Sequence, residues 1–501
     1  MNKMNGKKLT QSNEPLEGDL LGGHHYDSAK EEQLDRSLSN RHIQMIAIGG
    51  AIGTGLFMGS GQTIANSGTS VILTYMIVGF VLFFVMRAMG ELLLSNTNYK
   101  SFVDFATDYL GPWAGYFLGW TYWLSWVITA IADIIAIGGY MQFWYPDLPV
   151  WIPALATITI LTVLNLLTVK MFGETEFWFA MIKIVAIVAF LILGISLVVM
   201  GFVSPNGVKA SFSHITDPDA FLPHGVTGFL AGFQMAVFAF LGIELVGTTA
   251  AETKNPEKSL PKAINSIPWR ILLFYVGALL VIISVTSWHQ VDPGKSPFVA
   301  MFQLVGLTAA AAVVNFVVVT SAMSSANSGI FATSRMLYGL AVEKDAPQRF
   351  RSLSKGKVPV QALLCSMICV FIGTLILFVT PNVMSAFNIV TALTSILTVF
   401  AFGMILASYL AYRKKRPDLH AQSVYKMPAG IFMSWFGIAF MVFVVAILCL
   451  DHDTRISLFV SPLWFIGLWI AYKRRKRQDS ERTWILAHGR RIDHDEVSEN
   501  N

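Results

Sequence analysis

The sequence predicts an all-α membrane protein of about twelve transmembrane helices, from its composition and from the spacing of its apolar stretches. Of its 501 residues, 54% are hydrophobic and only 13% are charged, whereas a soluble domain carries about 25% charged residues. The mean hydropathy is +0.57. A helix needs about 20 mainly apolar residues to cross a bilayer. Such stretches occur at about 42–66, 68–94, 113–140, 150–169, 178–201, 226–251, 270–288, 301–338, 358–380, 383–412, 428–450 and 456–472.

The two ends of the chain differ from this apolar middle. Residues 1–34 are polar and lack the apolar stretch of a signal peptide, so we expect a disordered cytoplasmic tail. Residues 476–501 are also polar, which predicts a second cytoplasmic tail. We expect residues 35–475 to form one transmembrane domain.

The distribution of Lys and Arg between the spans predicts the orientation. An even number of spans places both termini on one side of the membrane. The loops of that side carry most of the basic residues, including Lys254, Lys258, Lys262, the run Arg413–Arg416 and the run Lys473–Arg477, whereas the opposite side carries only Lys209, Lys295 and Arg455. Cytoplasmic loops are enriched in Lys and Arg. Both termini are therefore predicted to be cytoplasmic, and basic runs at span ends indicate topology rather than nucleic-acid binding.

Other functional classes receive little support. Cys365, Cys369 and Cys449 lie in apolar stretches without a neighbouring His or acid, so they indicate buried thiols and not a metal site or a disulfide framework. We expect no cofactor. A membrane-embedded enzyme would need a cluster of acids, bases or metal ligands at one membrane face, and a sensor would need a sizeable soluble domain; the sequence suggests neither.

Span one is interrupted by glycine. Gly49, Gly50, Gly53 and Gly55 fall within a few residues of one another, and each glycine costs about 1 kcal/mol relative to alanine inside a helix. The cluster predicts local unwinding. Close helix packing through small residues is an equal alternative on this span alone.

Span six carries a second interruption and favours unwinding in both spans. Gly242 lies at mid-span two residues before Glu244, and a charge at a helix centre costs about 2.5–3.5 kcal/mol on insertion scales. Glu244 should therefore face a cavity or a partner, or be protonated. Spans one and six open two successive sets of five helices. Interrupted helices at corresponding positions of two halves indicate a transporter site between inverted repeats.

The chemistry of paired breaks suits a zwitterion. Free N–H groups near Thr54 and Gly55, at a positive helix end, can hold a carboxylate. Free carbonyl groups between Phe238 and Leu241 can accept hydrogen bonds from an ammonium group. The candidate substrate-binding residues are Ile52, Thr54, Gly55, Phe238, Ala239, Leu241 and Gly242.

Embedded polar residues are the candidates for proton coupling. Lys183 is expected about one turn inside span five, where it either reaches the membrane interface or lies buried between helices, against the span-one break and the hydroxyls of Ser321, Ser324 and Ser325. Glu244 is the second candidate. Asp133 faces either the transport pathway or a packed polar neighbour, with Ser324 and Ser325 as further pathway residues. Arg87 and Glu91 are spaced to pair on span two.

Three segments together carry a family resemblance. They are Asn40–Gln44 before the glycine-rich break, Phe172–Ala180 before Lys183, and Glu252–Ile264 after span six. These segments resemble the amino acid–polyamine–organocation superfamily, in its bacterial amino acid transporter branch, over about residues 35–475. Further likenesses within the branch are Val85–Glu91, Gly119–Trp123, Ala132–Asp133 and Gly247–Glu252, with Ile131 where a methionine is expected.

The resemblance implies a fold and a function. The fold is a LeuT-type five-plus-five inverted repeat, with repeat one at about 42–201, repeat two at about 226–412 and two extra helices at about 428–472. The function is proton symport of small neutral amino acids, with D-alanine, D-serine, glycine and the analogue D-cycloserine as expected cargo, across a bacterial cytoplasmic membrane. Thr54 and Gly55 would bind carboxylate, Phe238 would cover the substrate and Leu241 would line the pocket. An exchanger, or a permease with another neutral amino acid specificity, remains the alternative.

Overall fold

The computed structural model describes Met45 and residues 52–96, 98–99, 101–248, 255–379 and 382–498, with side chains as far as residue 477. The predicted breaks at Gly49 and Gly50 and the segment Thr249–Lys254 lie outside the described residues. The membrane helices are span one (Thr54–Phe57 and Gly59–Ser67), two (Val71–Ser95), three (Pro112–Met141), four (Trp151–Leu166), five (Val169–Val199), six (Gly225–Ala239 and Leu245–Thr248), seven (Ile267–Arg270, Ile271–Val276 and Gly277–Thr286), eight (Thr308–Val342), nine (Val360–Thr374 and Ile376–Val379), ten (Val383–Lys415), eleven (Gly430–Ile447) and twelve (His452–Ser498).

The all-α prediction is confirmed. Within the described ranges, nine helical stretches are long and apolar enough to cross a membrane, one of them containing both the second half of span one and span two. Two shorter apolar helices, spans four and six, complete the set. Short connecting helices lie between them at Phe102–Leu110, Ser213–Thr216, Pro218–Phe221, Pro256–Asn265, Pro297–Leu304 and Pro417–Gln422.

Two predicted boundaries are wrong. Span five begins at Val169 and not near residue 178, because the Thr168 hydroxyl caps it by accepting from the Met171 amide and because its first turns bury Glu176 against span eight. The predicted eighth span is two helices, Pro297–Leu304 and Thr308–Val342. Gly306, with φ at +76°, turns the chain between them.

Spans three, eight and ten form the centre of the bundle. Span three packs against both of the others, and span ten also contacts spans two, six, eleven and twelve. In the most apolar window of span three 83% of the residues are buried, compared with 33% for spans five and nine and 22% for span twelve. The outer helices present their apolar side chains outward, as a lipid-facing layer requires, and the polar groups of the site lie inside.

Arg87 and Glu91 do not form the predicted pair. The Arg87 guanidinium donates to Asn265 Oδ1 and to the Lys426 carbonyl and lies over the Tyr425 ring. Glu91 is fully buried. Its carboxylate accepts from the Tyr409 hydroxyl at 3.0 Å and the Met427 amide at 2.7 Å, and lies 2.6 Å from His420 Nδ1. Span two is therefore fastened to the segment between spans ten and eleven, because a buried carboxylate needs several hydrogen-bond partners.

Candidate functional site

Span one starts its helix inside the protein. Gly53 has extended backbone at φ −132°, and the helix begins at Thr54. The amides of Leu56 and Phe57 return to the Gly53 carbonyl, and the Met58 amide returns to the Thr54 carbonyl. The first amides of a helix have no acceptor within the helix. The N–H groups of Thr54 and Gly55 therefore lie at a buried helix start.

Span six is interrupted between Ala239 and Leu245. Gly242 adopts φ +101°, a backbone conformation that other residues rarely adopt. Glu244 is 1% exposed and folds back on this turn. Its Oε2 accepts from the Gly242 amide at 3.0 Å, and its Oε1 accepts from the Tyr122 hydroxyl at 3.1 Å. The structure thus confirms the predicted break and ties the acid within it to span three.

The two breaks touch each other. A Cβ placed on Gly55 would lie 2.5 Å from Ala239 Cα and 2.9 Å from the Ala239 nitrogen. Only glycine allows the backbones of spans one and six to approach this closely. The Tyr275 hydroxyl of span seven donates to the Ala239 carbonyl at 2.9 Å, so one of the carbonyl groups predicted for an ammonium partner already has a donor in this conformation.

Asp133 faces the break in span one. The Thr54 hydroxyl donates to Asp133 Oδ1 at 2.6 Å, and both residues are buried. The Ser325 side chain of span eight lies beside the same carboxylate. Ser325 Oγ would be 3.2 Å from a Cβ on Gly53, which places span eight directly against the break. The bond to Thr54 gives Asp133 a packed polar neighbour at the span-one break.

Span eight also holds span one through the backbone. The Ser321 hydroxyl donates to the Ile52 carbonyl at 3.0 Å, a contact between residues 269 positions apart. Ile52 itself is 1% exposed. Ser321 and Ser325 of span eight thus lie against the break, whereas the Ser324 hydroxyl has another partner.

That partner is Glu176, a residue that was not predicted as part of the site. Ser324 Oγ donates to Glu176 Oε1. Asn327 and Ser328 lie beside the same carboxylate, and the Asn165 amide group donates to Asn327 Oδ1 at 2.8 Å. Spans four, five and eight therefore share a buried polar network.

Lys183 lies deeper than predicted. It is fully buried and sits about four turns into span five rather than one, so reaching the membrane interface is excluded. Its charge interacts with the carboxylates of both Asp133 and Glu176. The three groups form a charged cluster, Asp133–Glu176–Lys183, next to the span-one break.

The apolar members of the predicted site line the same region. Phe238 is 4% exposed and packs edge-on against Phe387 of span ten, with ring centroids 5.9 Å apart. Leu241 is 5% exposed, and its amide donates to the Phe238 carbonyl at 3.0 Å. The Phe238 ring therefore packs between spans six and ten, and Leu241 lies buried in the break that follows it.

An all-helical membrane protein in which two interrupted helices meet at a buried, polar break belongs to the class of transporters with discontinuous helices. The amino acid permease family profile matches residues 42–485. The D-serine/D-alanine/glycine transporter of Escherichia coli strain K12 is 63% identical over 442 residues, covering 88% of this chain and 94% of that protein. The chain therefore belongs to the amino acid permease family and is a multi-pass membrane protein.

Other relatives show the range of the family. Amino-acid permease AapA of Bacillus subtilis is 48% identical over 460 residues, covering 92% of this chain and 99% of that protein. The aromatic amino acid transport protein AroP of E. coli O6:H1 is 42% identical over 443 residues, covering 88% and 96%. Amino acid transport is common to these names, and the kind of amino acid varies among them.

Proposed function

We propose that this protein imports small neutral amino acids, namely D-alanine, D-serine and glycine, together with D-cycloserine, by proton symport. The observation that carries the cargo is the 63% identity, over almost the whole length of both chains, to a D-serine/D-alanine/glycine transporter. The contact between Gly55 and Ala239 brings together the two breaks at which the cargo would bind.

The zwitterion would bind across the two breaks. The N–H groups of Thr54 and Gly55 would hold its carboxylate at the start of the span-one helix, beside Ile52. The ammonium group would lie against the unwound turn Phe238–Gly242, with the Phe238 ring as a cover. Leu241 would line the side-chain pocket.

Proton coupling would use the acids and the lysine buried around that site. Glu244 joins the span-six break to span three, and Lys183 faces two carboxylates near the span-one break. Asp133, Ser324 and Ser325 would line the pathway. A buried group that changes charge during the cycle can favour one conformation over another through its solvation energy.

The proposed orientation places both termini in the cytoplasm of a bacterial cell, with the transporter in the inner membrane. Two basic runs support this orientation. Arg413–Lys415 closes span ten, and Lys473–Arg477 continues span twelve. Cysteines placed in these runs should react with an impermeant maleimide only after the membrane is opened.

Purified protein in liposomes tests the function. With an imposed gradient, acid outside, labelled glycine should accumulate above its external concentration, and a protonophore should abolish the accumulation. D-alanine and D-serine should compete, whereas phenylalanine should not. No accumulation without internal amino acid, but rapid uptake after preloading, would instead establish the exchanger.

A further inference from the structure

The first turns of span five contain Glu176, an acid with no role in the function proposed above. Glu176 precedes Lys183 by seven residues, which is two helical turns, or about 10 Å along the axis. Seven residues bring two side chains back to nearly the same helix face. Span five begins at Val169, so Glu176 lies between Lys183 and the membrane side on which that helix starts. In the proposed orientation that side is the cytoplasm.

The burial and partners of Glu176 differ from those of a structural ion pair. The side chain is fully buried, and the Ser324 hydroxyl donates to Oε1. Within the described part of the chain, Oε2 is buried and has no partner at hydrogen-bond geometry, and the same holds for Oδ2 of Asp133. Buried polar atoms are normally paired. Each carboxylate therefore has one oxygen that can carry a proton.

The charges of the cluster also do not balance. Two carboxylates, Asp133 and Glu176, face one ammonium group on Lys183. With all three ionised the cluster would hold a net negative charge among apolar helices, where an uncompensated charge is costly. One added proton makes it neutral. The cluster is thus suited to hold one transported proton.

An aromatic stack covers Glu176 on the side of the helix start. Phe172, one turn before Glu176, stacks on Phe331 of span eight with ring centroids 3.7 Å apart and planes 9° apart. The Arg335 guanidinium lies 3.2 Å from the centre of the Phe331 ring. Among the described residues, the charged side chains facing this part of the network are Lys183 and Asp133 above Glu176 and Arg335 below it.

We propose that Glu176 is the proton-release residue, which holds the transported proton as a carboxylic acid beside Lys183 and delivers it toward the cytoplasm when the aromatic stack parts. The transported proton forms an O–H bond on Glu176 while Lys183 stays an ammonium group and Asp133 a carboxylate, so the loaded cluster is neutral. The acid then loses the same proton to cytoplasmic water. This inference rests on the proposed proton symport.

Glu176→Gln tests the relay, with Glu174→Gln as the matched control. Glu174 lies two residues earlier in the same helix and is only partly buried. Liposomes containing each variant are assayed for exchange of labelled glycine without a gradient, for accumulation under an imposed proton gradient, and for acidification of the lumen when glycine is added. We expect Glu176→Gln to exchange within about twofold of the unsubstituted protein while losing at least tenfold in accumulation and in acidification. Glu174→Gln should keep all three.

The outcomes separate the relay from the function on which it rests. If the unsubstituted protein itself fails to accumulate glycine, proton symport is wrong. If that protein accumulates glycine and Glu176→Gln does so equally well, only the relay is wrong. Equal losses of exchange and accumulation would show that Glu176 positions span five and does not carry the proton.

Glu176→Asp provides a second variant if the Glu176→Gln protein does not insert into the membrane. It keeps a carboxylic acid on a shorter side chain. We expect it to accumulate glycine at a lower rate, with an altered dependence on cytoplasmic pH. An aspartate variant that exchanges glycine but does not accumulate it would overturn the proposal.

Discussion

Replacing Gly55 by alanine should disable transport without preventing membrane insertion. The new Cβ would lie 2.5 Å from Ala239 Cα, whereas carbon atoms in contact rest at about 3.5–4.0 Å. Spans one and six would have to separate by about 1 Å at the breaks. Overpacking of this kind costs about 1–3 kcal/mol, which corresponds to roughly a five- to 150-fold change in an equilibrium constant. Initial rates of glycine uptake should fall at least about tenfold, and leucine should be more severe than alanine.

The assay compares this variant with Gly403→Ala. A Cβ on Gly403 of span ten would meet no atom within 4 Å, so that substitution should leave uptake unchanged. Both variants are expressed in cells that lack their own glycine carriers, and rates are normalised to the amount of protein in the membrane. Unaltered uptake by a normally inserted Gly55→Ala variant would refute the close approach of the two breaks as the basis of the site.

Three further variants test individual contacts at the breaks. Glu244→Gln keeps the shape of the side chain but removes the acid, so gradient-driven accumulation should weaken while exchange persists; unchanged accumulation would remove Glu244 from proton coupling. Thr54→Ala removes the 2.6 Å hydrogen bond to Asp133, a loss of about 1–3 kcal/mol, and should raise KM for glycine at least fivefold. Thr54→Ser keeps the hydroxyl and should keep KM near that of the unsubstituted protein. If both variants raise KM equally, the methyl group of Thr54 matters rather than its hydrogen bond. Gly242→Ala forces a side chain into φ +101° at a cost of about 1–3 kcal/mol, and should lower the thermal unfolding midpoint of the purified protein more than Gly339→Ala does.

The membrane helices and the two breaks could be predicted because their signals are local. Twenty apolar residues are visible in any window of the sequence, and glycine beside an acid in span six is a short motif. Burial of Glu244 also followed from local reasoning, since a mid-span acid must find a partner. Its two partners, the Gly242 amide and the Tyr122 hydroxyl, required the fold.

The parts that were missed depend on pairings between distant segments. The bond from Thr54 to Asp133 joins residues 79 positions apart, and the bond from Tyr275 to Ala239 joins residues 36 positions apart in spans seven and six. Glu176 is a different case. An acid two turns from a mid-span lysine was readable in the sequence, but the prediction began span five near residue 178 and so left Glu176 outside the membrane. Burial of that turn against span eight overrides its polar composition.

The turn in span six has a consequence for the empty carrier. Its Ala239 carbonyl is held by Tyr275, and its Gly242 amide is held by Glu244, so these backbone groups need no cargo to satisfy them. In the proposed symport cycle, the transporter returns to its starting conformation without bound substrate. A turn whose backbone groups are already hydrogen-bonded within the protein lowers the free-energy cost of this substrate-free step. It also spares the incoming amino acid the entropic cost of ordering its own binding site.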